Sequence, residues 1–331
     1  MKRLISVLLI CSLFLSGCGK TNAVPEKAES DSDKLTVIAT LFPQYDFARE
    51  IAGDKADITL LLPPGMESHS FEPTPGDIIG IQNADIFLYT GDEMEPWVSG
   101  IVENIEESPI VTDLSQGIAL CKDEHDHEHE HEHEEEEHEE EGEETVQTLS
   151  HEGHSHEYDP HIWTSPVNTM HMVKSIEQSF IKADPANEDY YHQNAQAYLE
   201  KLEALHEKFQ TIVAQGNQDT IYVGSRFSLL YFMEEYGLHY VAAYDSCEEE
   251  ADPSIKRVVS MIDEMKEHNV KAIYYEELIE PYIAETIGEA AQAEPLLFHS
   301  CHNLSKDELE AGETYLSLME QNAINLEKGL Q

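Results

Sequence analysis

The chain has 331 residues, with 67 Asp or Glu against 19 Lys or Arg and a formal net charge of −48. This balance excludes nucleic acid as a partner, because binding to nucleic acid relies on basic residues that neutralise phosphates. The length suits two domains of ordinary size, and a hydrophobic content of 40% is typical of a globular chain.

The N-terminus has the pattern of a secretion signal for a lipoprotein. Two basic residues precede an apolar run over residues 4–15, which is too short to span a bilayer. The letters LSGC that follow resemble a bacterial lipobox, which implies cleavage before Cys18 and lipidation of its thiol. An ordinary secretory signal that happens to contain cysteine is the alternative. We expect a signal over 1–18, a flexible tether over 19–34, and an extracytoplasmic protein anchored by lipid to the bacterial cell membrane.

Short β-like runs then alternate with amphipathic patterns. The runs LTVIATLF, ADITLLL, DIFLYT and SPIVTDL predict strands, with helices between them near 44–53, 75–83 and 95–106. Strands that alternate with helices of about ten residues are typical of a parallel sheet with helices on both faces. We therefore predict an α/β lobe over residues 35–184.

A long amphipathic helix is predicted over residues 185–215. Its apolar residues recur at three- to four-residue spacing: Tyr191, Ala195, Tyr198, Leu202, Leu205, Phe209 and Ile212. The alternation then restarts with the runs TIYV, HYVAAY, KAIYY and PLLF, and with helices near 226–236, 254–268, 281–292 and 312–329. The pattern predicts a second α/β lobe over 216–331, so that one long helix bridges two Rossmann-like lobes with parallel sheets.

An acidic, histidine-rich insert interrupts the first lobe over residues 122–157. Its letters EHDHEHEHEHEEEEHEEEGEE contain no apolar residue, so we predict that the insert is disordered. The insert holds nine of the 18 histidines of the chain. Five of these histidines occupy every second position of one run: His125, His127, His129, His131 and His133. Neighbouring imidazoles of this kind share an ion weakly, which predicts an auxiliary metal loop; a solvated acidic spacer is the alternative.

Two histidines lie in loops that are expected to open toward the cleft between the lobes. His69 follows the predicted strand ADITLLL through a Pro-Pro-Gly turn, and His161 lies in the run YDPHIWTSP. Ligands of open α/β sheets bind at the carboxyl ends of the strands. Asp159, two residues before His161, is placed to orient the imidazole through a hydrogen bond. These residues predict a metal site, although a lone loop histidine is more often a surface residue.

Several motifs resemble one protein family. PPGMESHSFEPTP, DPHIWTSP, the YFMEEYGL run and GETYLSLMEQNAINL are similar to the cluster A-I substrate-binding lipoproteins of ABC transporters for zinc or manganese, over nearly all of residues 35–330. The resemblance implies one divalent ion between two lobes, delivered to a membrane permease that a cytoplasmic ATPase powers. The first two ligand positions fall on His69 and His161. The third falls on Arg226, whose guanidinium is always cationic and cannot ligate a metal.

The second-lobe ligands stay open in the sequence. The position of the last family ligand falls in LLFHSCHNLS, where His299 is the first choice and Cys301 and His302 are alternatives. Glu249, in the run of three glutamates over 248–250, is placed to supply a carboxylate, and Arg226 is then expected to pair with that run. Cys247 and Cys301 are the favoured disulfide pair.

Ligand chemistry favours Zn²⁺ over Mn²⁺, because imidazoles suit zinc whereas manganese sites rely on carboxylates. An enzyme is not expected, since the chain lacks GxSxG and Walker motifs. We predict a monomeric receptor that captures zinc for an ABC permease. The same role for manganese is one alternative, and a surface lipoprotein that buffers metal or acts as an adhesin is another.

Overall fold

The described residues form two parallel sheets of four strands each. The computed structural model describes residues 34–103, 105, 109–122, 158–244 and 253–331. The first sheet has the order β2-β1-β3-β4, with β1 (Leu35–Ala39), β2 (Ala56–Leu60), β3 (Ile86–Tyr89) and β4 (Ile110–Asp113). The second sheet has the order β6-β5-β7-β8, with β5 (Thr220–Val223), β6 (His239–Ala242), β7 (Ala272–Tyr275) and β8 (Glu294–Leu297). The predicted α/β class with two parallel sheets is confirmed.

Helices connect the strands and cover the sheets. In chain order they are α1 (Phe42–Ala52), α2 (Pro75–Asn83), α3 (Val98–Val102), α4 (Pro166–Ala183), α5 (Glu188–Gln215), α6 (Leu230–Tyr236), α7 (Ile255–Glu267), α8 (Tyr282–Ala291), α9 (Lys306–Ala311) and α10 (Tyr315–Leu330). Side-chain caps begin several of them. Thr74 accepts a hydrogen bond from the amide of Asp77 at the start of α2, and Ser165 accepts two amide hydrogen bonds at the start of α4.

Each sheet has a point where the strand order reverses. β1 pairs with β2 on one side and with β3 on the other, and the register aligns Val37 with both Ile58 and Ile86. In the second sheet β5 lies between β6 and β7 in the same way. Loops that leave adjacent strands in opposite directions open a crevice at the carboxyl ends of the strands, where ligands of such sheets bind.

The long helix α5 packs along the first lobe and against the C-terminal helix. It contacts α1, α4 and α10, and its apolar face is buried in one continuous core with residues of both sheets. All seven apolar residues predicted for this face are buried, together with His206, whose Nδ1 lies 3.1 Å from the hydroxyl of Tyr236. The predicted helix over 185–215 is confirmed, with a short 3₁₀ turn at Pro185–Asn187 before α5.

One predicted helix has a different start in the structure, and one helix was not predicted. α6 begins at Leu230 rather than near residue 226, because Ser228 donates its amide and hydroxyl protons to the buried carboxylate of Glu276. These tertiary hydrogen bonds hold the segment before α6 as a loop. The six-residue helix α9, which Ser305 caps, was not predicted.

Several predictions concern residues outside the described ranges. The signal over 1–18, most of the tether over 19–34, the interior of the insert and Cys247 all lie there. The two ends of the insert lie together, since Lys122, its first residue, pairs with Tyr158, the residue after its last, in an isolated antiparallel bridge. Residues 34–331 form one compact unit, so the predicted boundaries of the lobes stay a prediction. Among the described helices, none is both long and apolar enough to cross a membrane.

Candidate metal centre

A cavity of about 190 Å³ lies at the crevice between the two sheets. Its walls carry imidazole, carboxylate and guanidinium groups: Gly65, Glu67, His69, His161, Arg226, Ser228, Glu276, Glu277, Leu278, Ile279 and His302. The loop after β2 and the segment before α4 supply one wall. The loops after β5, β7 and β8 supply the other. The cavity therefore lies where the strand order of the sheets predicts a ligand site.

The first wall brings the two predicted histidines together. The ring centroids of His69 and His161 are 5.2 Å apart, with the ring planes at 67°. A turn with Gly65 at φ +80° precedes His69, and the left-handed backbone of that turn suits glycine. His161 comes directly before a 3₁₀ turn and is 2% exposed. Both side chains line the cavity, and their role as metal ligands stays a prediction.

Asp159 fixes the orientation of His161. The Oδ1 atom of Asp159 lies 3.1 Å from Nδ1 of His161 and accepts a hydrogen bond of 2.8 Å from the His161 amide. A carboxylate at Nδ1 selects the tautomer that leaves the lone pair on Nε2, which is the usual arrangement of a metal-binding histidine. Trp163 packs its ring edge-on against His161, with the centroids 5.5 Å apart. The imidazole is therefore positioned before any ligand arrives.

Two glutamates directly after β7 dominate the second wall. Glu277 is buried and accepts hydrogen bonds from the amide and hydroxyl of Ser300, at 2.8 and 2.7 Å. Burial opposes ionisation of Glu277, but the imidazoles of His299 and His302 and the Ser300 hydroxyl outweigh it and hold the pKa of Glu277 well below its usual range. Nδ1 of His302 lies 3.1 Å from Glu277, and this contact raises the pKa of His302 although burial alone would lower it.

The neighbouring residue, Glu276, has a pKa that is shifted in the opposite direction. Burial, reinforced by the negative charge of Glu277, raises the pKa of Glu276 to about 8. Its Oε1 atom accepts the hydrogen bonds from Ser228 described above. At neutral pH the wall therefore presents one ionised carboxylate and one protonated carboxyl group, a separation expected when two acidic groups lie side by side in a buried site.

The second-lobe residues predicted from the sequence have different positions. His302 lines the cavity, whereas His299 and Cys301 are buried outside its lining. Nδ1 of His299 accepts a hydrogen bond of 2.9 Å from the amide of Cys301, and Nε2 lies 3.6 Å from Glu308. The role of His299 as a ligand stays a prediction that this geometry does not favour, because both ring nitrogens face other protein groups.

The sequence interpretation missed Glu276 and Glu277. They follow directly after a β-like run, KAIYY, and this position at the carboxyl end of a parallel strand was a usable signal. The predicted disulfide is not formed, since Cys301 is a free thiol. Glu249 and the five histidines of the auxiliary loop lie outside the described residues.

Arg226 occupies the position that the sequence resemblance assigned to a metal ligand. Its guanidinium lies 3.2 Å from Oε2 of Glu67, on the opposite wall. The predicted partner run, residues 248–250, lies outside the described ranges. Within those ranges, no three His, Cys, Asp or Glu side chains are already arranged closely enough to hold a metal ion. Ligands from both walls reach one ion only after side chains rotate or the walls approach.

Comparison with known proteins identifies the family. Residues 37–329 match the family described as the zinc-uptake complex component A periplasmic, ZnuA. The chain belongs to this family. It is 33% identical to the high-affinity zinc uptake system protein ZnuA of Bacillus subtilis over 325 residues, 98% of this chain and 96% of that protein. The resemblance stated from the sequence motifs is therefore confirmed.

Two further relatives concern one streptococcal lipoprotein. The zinc-binding lipoprotein AdcA of Streptococcus pneumoniae serotype 4 is 31% identical over 322 residues, which are 96% of this chain but 59% of AdcA. The solved structure of the Zn(II)-bound ZnuA-like domain of AdcA has a TM-score of 0.71 at 27% identity, covering 90% of this chain and 99% of that chain. The two-lobe fold is thus the fold of a ZnuA-like domain.

The buried acids of the metal-free protein predict a specific dependence of stability on pH. The pKa of Glu276 is raised from 4.5 to about 8 and that of Glu95, also by burial, to about 7. Between pH 4.5 and about 8 these two carboxyl groups bind more protons in the folded state than in the unfolded state. The free energy of unfolding therefore falls as pH rises through this range. Each extra proton contributes at most about 1.4 kcal/mol per pH unit.

Glu276→Gln removes one of these titrating groups and keeps its shape. We expect denaturant unfolding of the metal-free variant at pH 5, 6, 7 and 8 to show a shallower decline of stability than the wild type. Glu289→Gln, on the exposed face of α8, is the matched control and is expected to keep the wild-type slope. Equal slopes for all three proteins contradict the raised pKa of Glu276.

Proposed function

We propose that this protein captures Zn²⁺ in the cavity between its lobes and delivers it to a membrane ABC permease and its ATPase. The observation that carries the proposal is the pair of imidazoles, His69 and His161, whose ring centroids lie 5.2 Å apart in a cavity that also contains an ionised glutamate. The family is one of solute-binding receptors rather than enzymes, and its members named above are zinc uptake and zinc-binding proteins.

Four side chains of the cavity suit the ion. His69 and His161 supply neutral nitrogen ligands from the first wall, and Asp159 keeps Nε2 of His161 available for coordination. On the second wall Glu277 supplies an ionised oxygen and His302 a further nitrogen. Zinc is bound in proteins by four such N and O ligands in tetrahedral geometry, so this set completes a site once the walls approach.

The ligand set also favours zinc over manganese. Two or three imidazoles with one carboxylate are typical of zinc, whereas manganese sites contain more oxygen ligands. Glu67 and Glu276 also line the cavity, but Glu67 is paired with Arg226 and the raised pKa of Glu276 keeps it protonated at neutral pH. Uptake of manganese by the same site is therefore the second candidate.

The location of the protein follows from the same role. Extracytoplasmic capture agrees with the relatives, which are described as periplasmic or as a lipoprotein. Lipidation at Cys18 and the tether over 19–34 are proposed to hold the receptor near its permease, as a monomer. Metal contacted by both lobes stiffens the cleft and presents a surface that a permease distinguishes from the metal-free form.

The double substitution His69→Ala and His161→Ala tests the binding site. It removes both imidazoles of the first wall, so we expect tight zinc binding, measured by competition with a chromophoric chelator, to be abolished. The control is His171→Ala with His192→Ala, which removes two exposed histidines outside the cavity. Unchanged zinc affinity in the first variant would rule out the proposed site.

Deletion of residues 122–157 separates a receptor from a metal buffer. Lys122 and Tyr158, at the two ends of the insert, are already paired with each other. A short Gly-Ser linker in place of the insert is therefore expected to preserve the fold. A receptor keeps its tight site and loses only weak, multiple zinc binding. Loss of nearly all zinc binding in calorimetric titration supports the alternative, in which the insert is the active part and the lobes display it.

A further inference from the structure

A permanent cation lies in the cavity that is proposed to receive a cation. Arg226 lines the cavity together with His69, His161, Glu277 and His302. A guanidinium does not lose its proton in proteins, so its charge cannot be removed when a metal arrives. Its effect on a bound dication is repulsive at any pH, unless a nearby anion cancels it.

Glu67 is one such anion, and it comes from the opposite wall. Its Oε2 atom lies 3.2 Å from the Arg226 guanidinium, while Oε1 accepts hydrogen bonds from the amides of Ser68 at 2.9 Å and His69 at 3.3 Å. The same carboxylate thus pairs with the second lobe and organises the backbone that carries His69. Both side chains are partly exposed, at 26% for Arg226 and 35% for Glu67.

The ion pair also lies at the boundary between two cavities. Arg226, Glu67 and Ile279 line both the 190 Å³ cavity and a neighbouring cavity of about 350 Å³, which Tyr244 and Tyr275 also line. The pair is therefore close enough to the candidate metal position to act on the ion and open enough to solvent to be altered without disrupting the core.

We infer that Arg226 is an affinity-determining residue, which weakens the hold of the site on a divalent cation, and that Glu67 compensates its charge. The inference rests on the proposed function, since it concerns the same cavity. A receptor that must hand its ion to a permease benefits from a site whose affinity is limited, because release is faster from a weaker site. The ion pair provides this limit without removing a ligand.

Charge balance makes distinct predictions for each variant. Arg226→Gln makes the cavity more negative by one charge, and we expect the zinc dissociation constant to fall by about tenfold, the size of a unit-charge effect across a few ångströms of partly solvated space. Glu67→Gln removes this carboxylate from the guanidinium, so zinc binding weakens by a similar factor. The double variant restores the balance and is expected to lie near the wild type.

The measurement is chelator competition with Zn²⁺ at pH 7, with thermal unfolding of each metal-free variant recorded in parallel. Arg226→Lys keeps the positive charge and is expected to lack the tightening seen with Gln. Arg257→Gln is the matched control: it makes the same substitution on the exposed side of α7, outside both cavities. Its zinc affinity is expected to equal that of the wild type.

Three results overturn the inference. The first is an Arg226→Gln variant that is folded but binds zinc as weakly as the wild type or more weakly. The second is equal tightening by Arg226→Lys, which removes charge as the cause. The third is a double variant as weak as Glu67→Gln alone, because Glu67 then acts as a ligand rather than as a counter-charge. Failure of the wild type to bind zinc instead refutes the proposed function.

Discussion

The segment from Asp159 to Trp163 is held by hydrogen bonds to the C-terminal half of the chain, and the geometry of the site depends on this constraint. The backbone carbonyl of Asp159 accepts a hydrogen bond of 2.7 Å from the Tyr231 hydroxyl. The indole of Trp163 donates to the carbonyl of Ser300 at 2.8 Å, and the carbonyl of Trp163 accepts from Tyr315 at 2.8 Å. All three partners belong to the C-terminal half of the chain. His161 is therefore fixed relative to both walls, although it is carried by only one.

The same constraint connects the two halves of the candidate metal centre. Ser300, whose carbonyl accepts the Trp163 proton, also donates its amide and hydroxyl protons to Glu277. A path of hydrogen bonds thus runs from Trp163 through Ser300 to Glu277. Large hinge motion of the lobes would break buried hydrogen bonds, each worth about 0.5–1.5 kcal/mol, so small movements of side chains and loops are favoured instead.

Electrostatics within the cavity balance without a metal. Glu277 is ionised beside the imidazole of His302, Glu276 is protonated because burial disfavours a second charge, and Glu67 pairs with Arg226. An incoming dication must therefore compete with internal cations for the carboxylates. This competition explains why the described side chains form no preassembled metal cluster, although the walls of the cavity are ordered and polar.

Much of this structure was predictable from the sequence, and the remainder has physical reasons. The eight strands and the buried face of α5 follow from periodicity, because apolar spacing directly reports which face is buried. His69, His161 and Asp159 were found since they lie in short loops bounded by proline and by strand ends. The choice among His299, Cys301 and His302 was not predictable, because spacing within a loop does not tell which side chain faces the crevice. The pairing of Arg226 with Glu67 required tertiary structure, because the two residues are 159 positions apart along the chain.

The central claim is that one zinc ion binds between the two walls, and diffraction from zinc-loaded crystals at wavelengths on both sides of the zinc absorption edge tests it most directly. One strong anomalous peak is expected in the cavity, about 2.0–2.1 Å from a nitrogen of His69 and of His161, with Glu277 or His302 completing the coordination. A peak outside this cavity, or no peak within bonding distance of the two imidazoles, would contradict it.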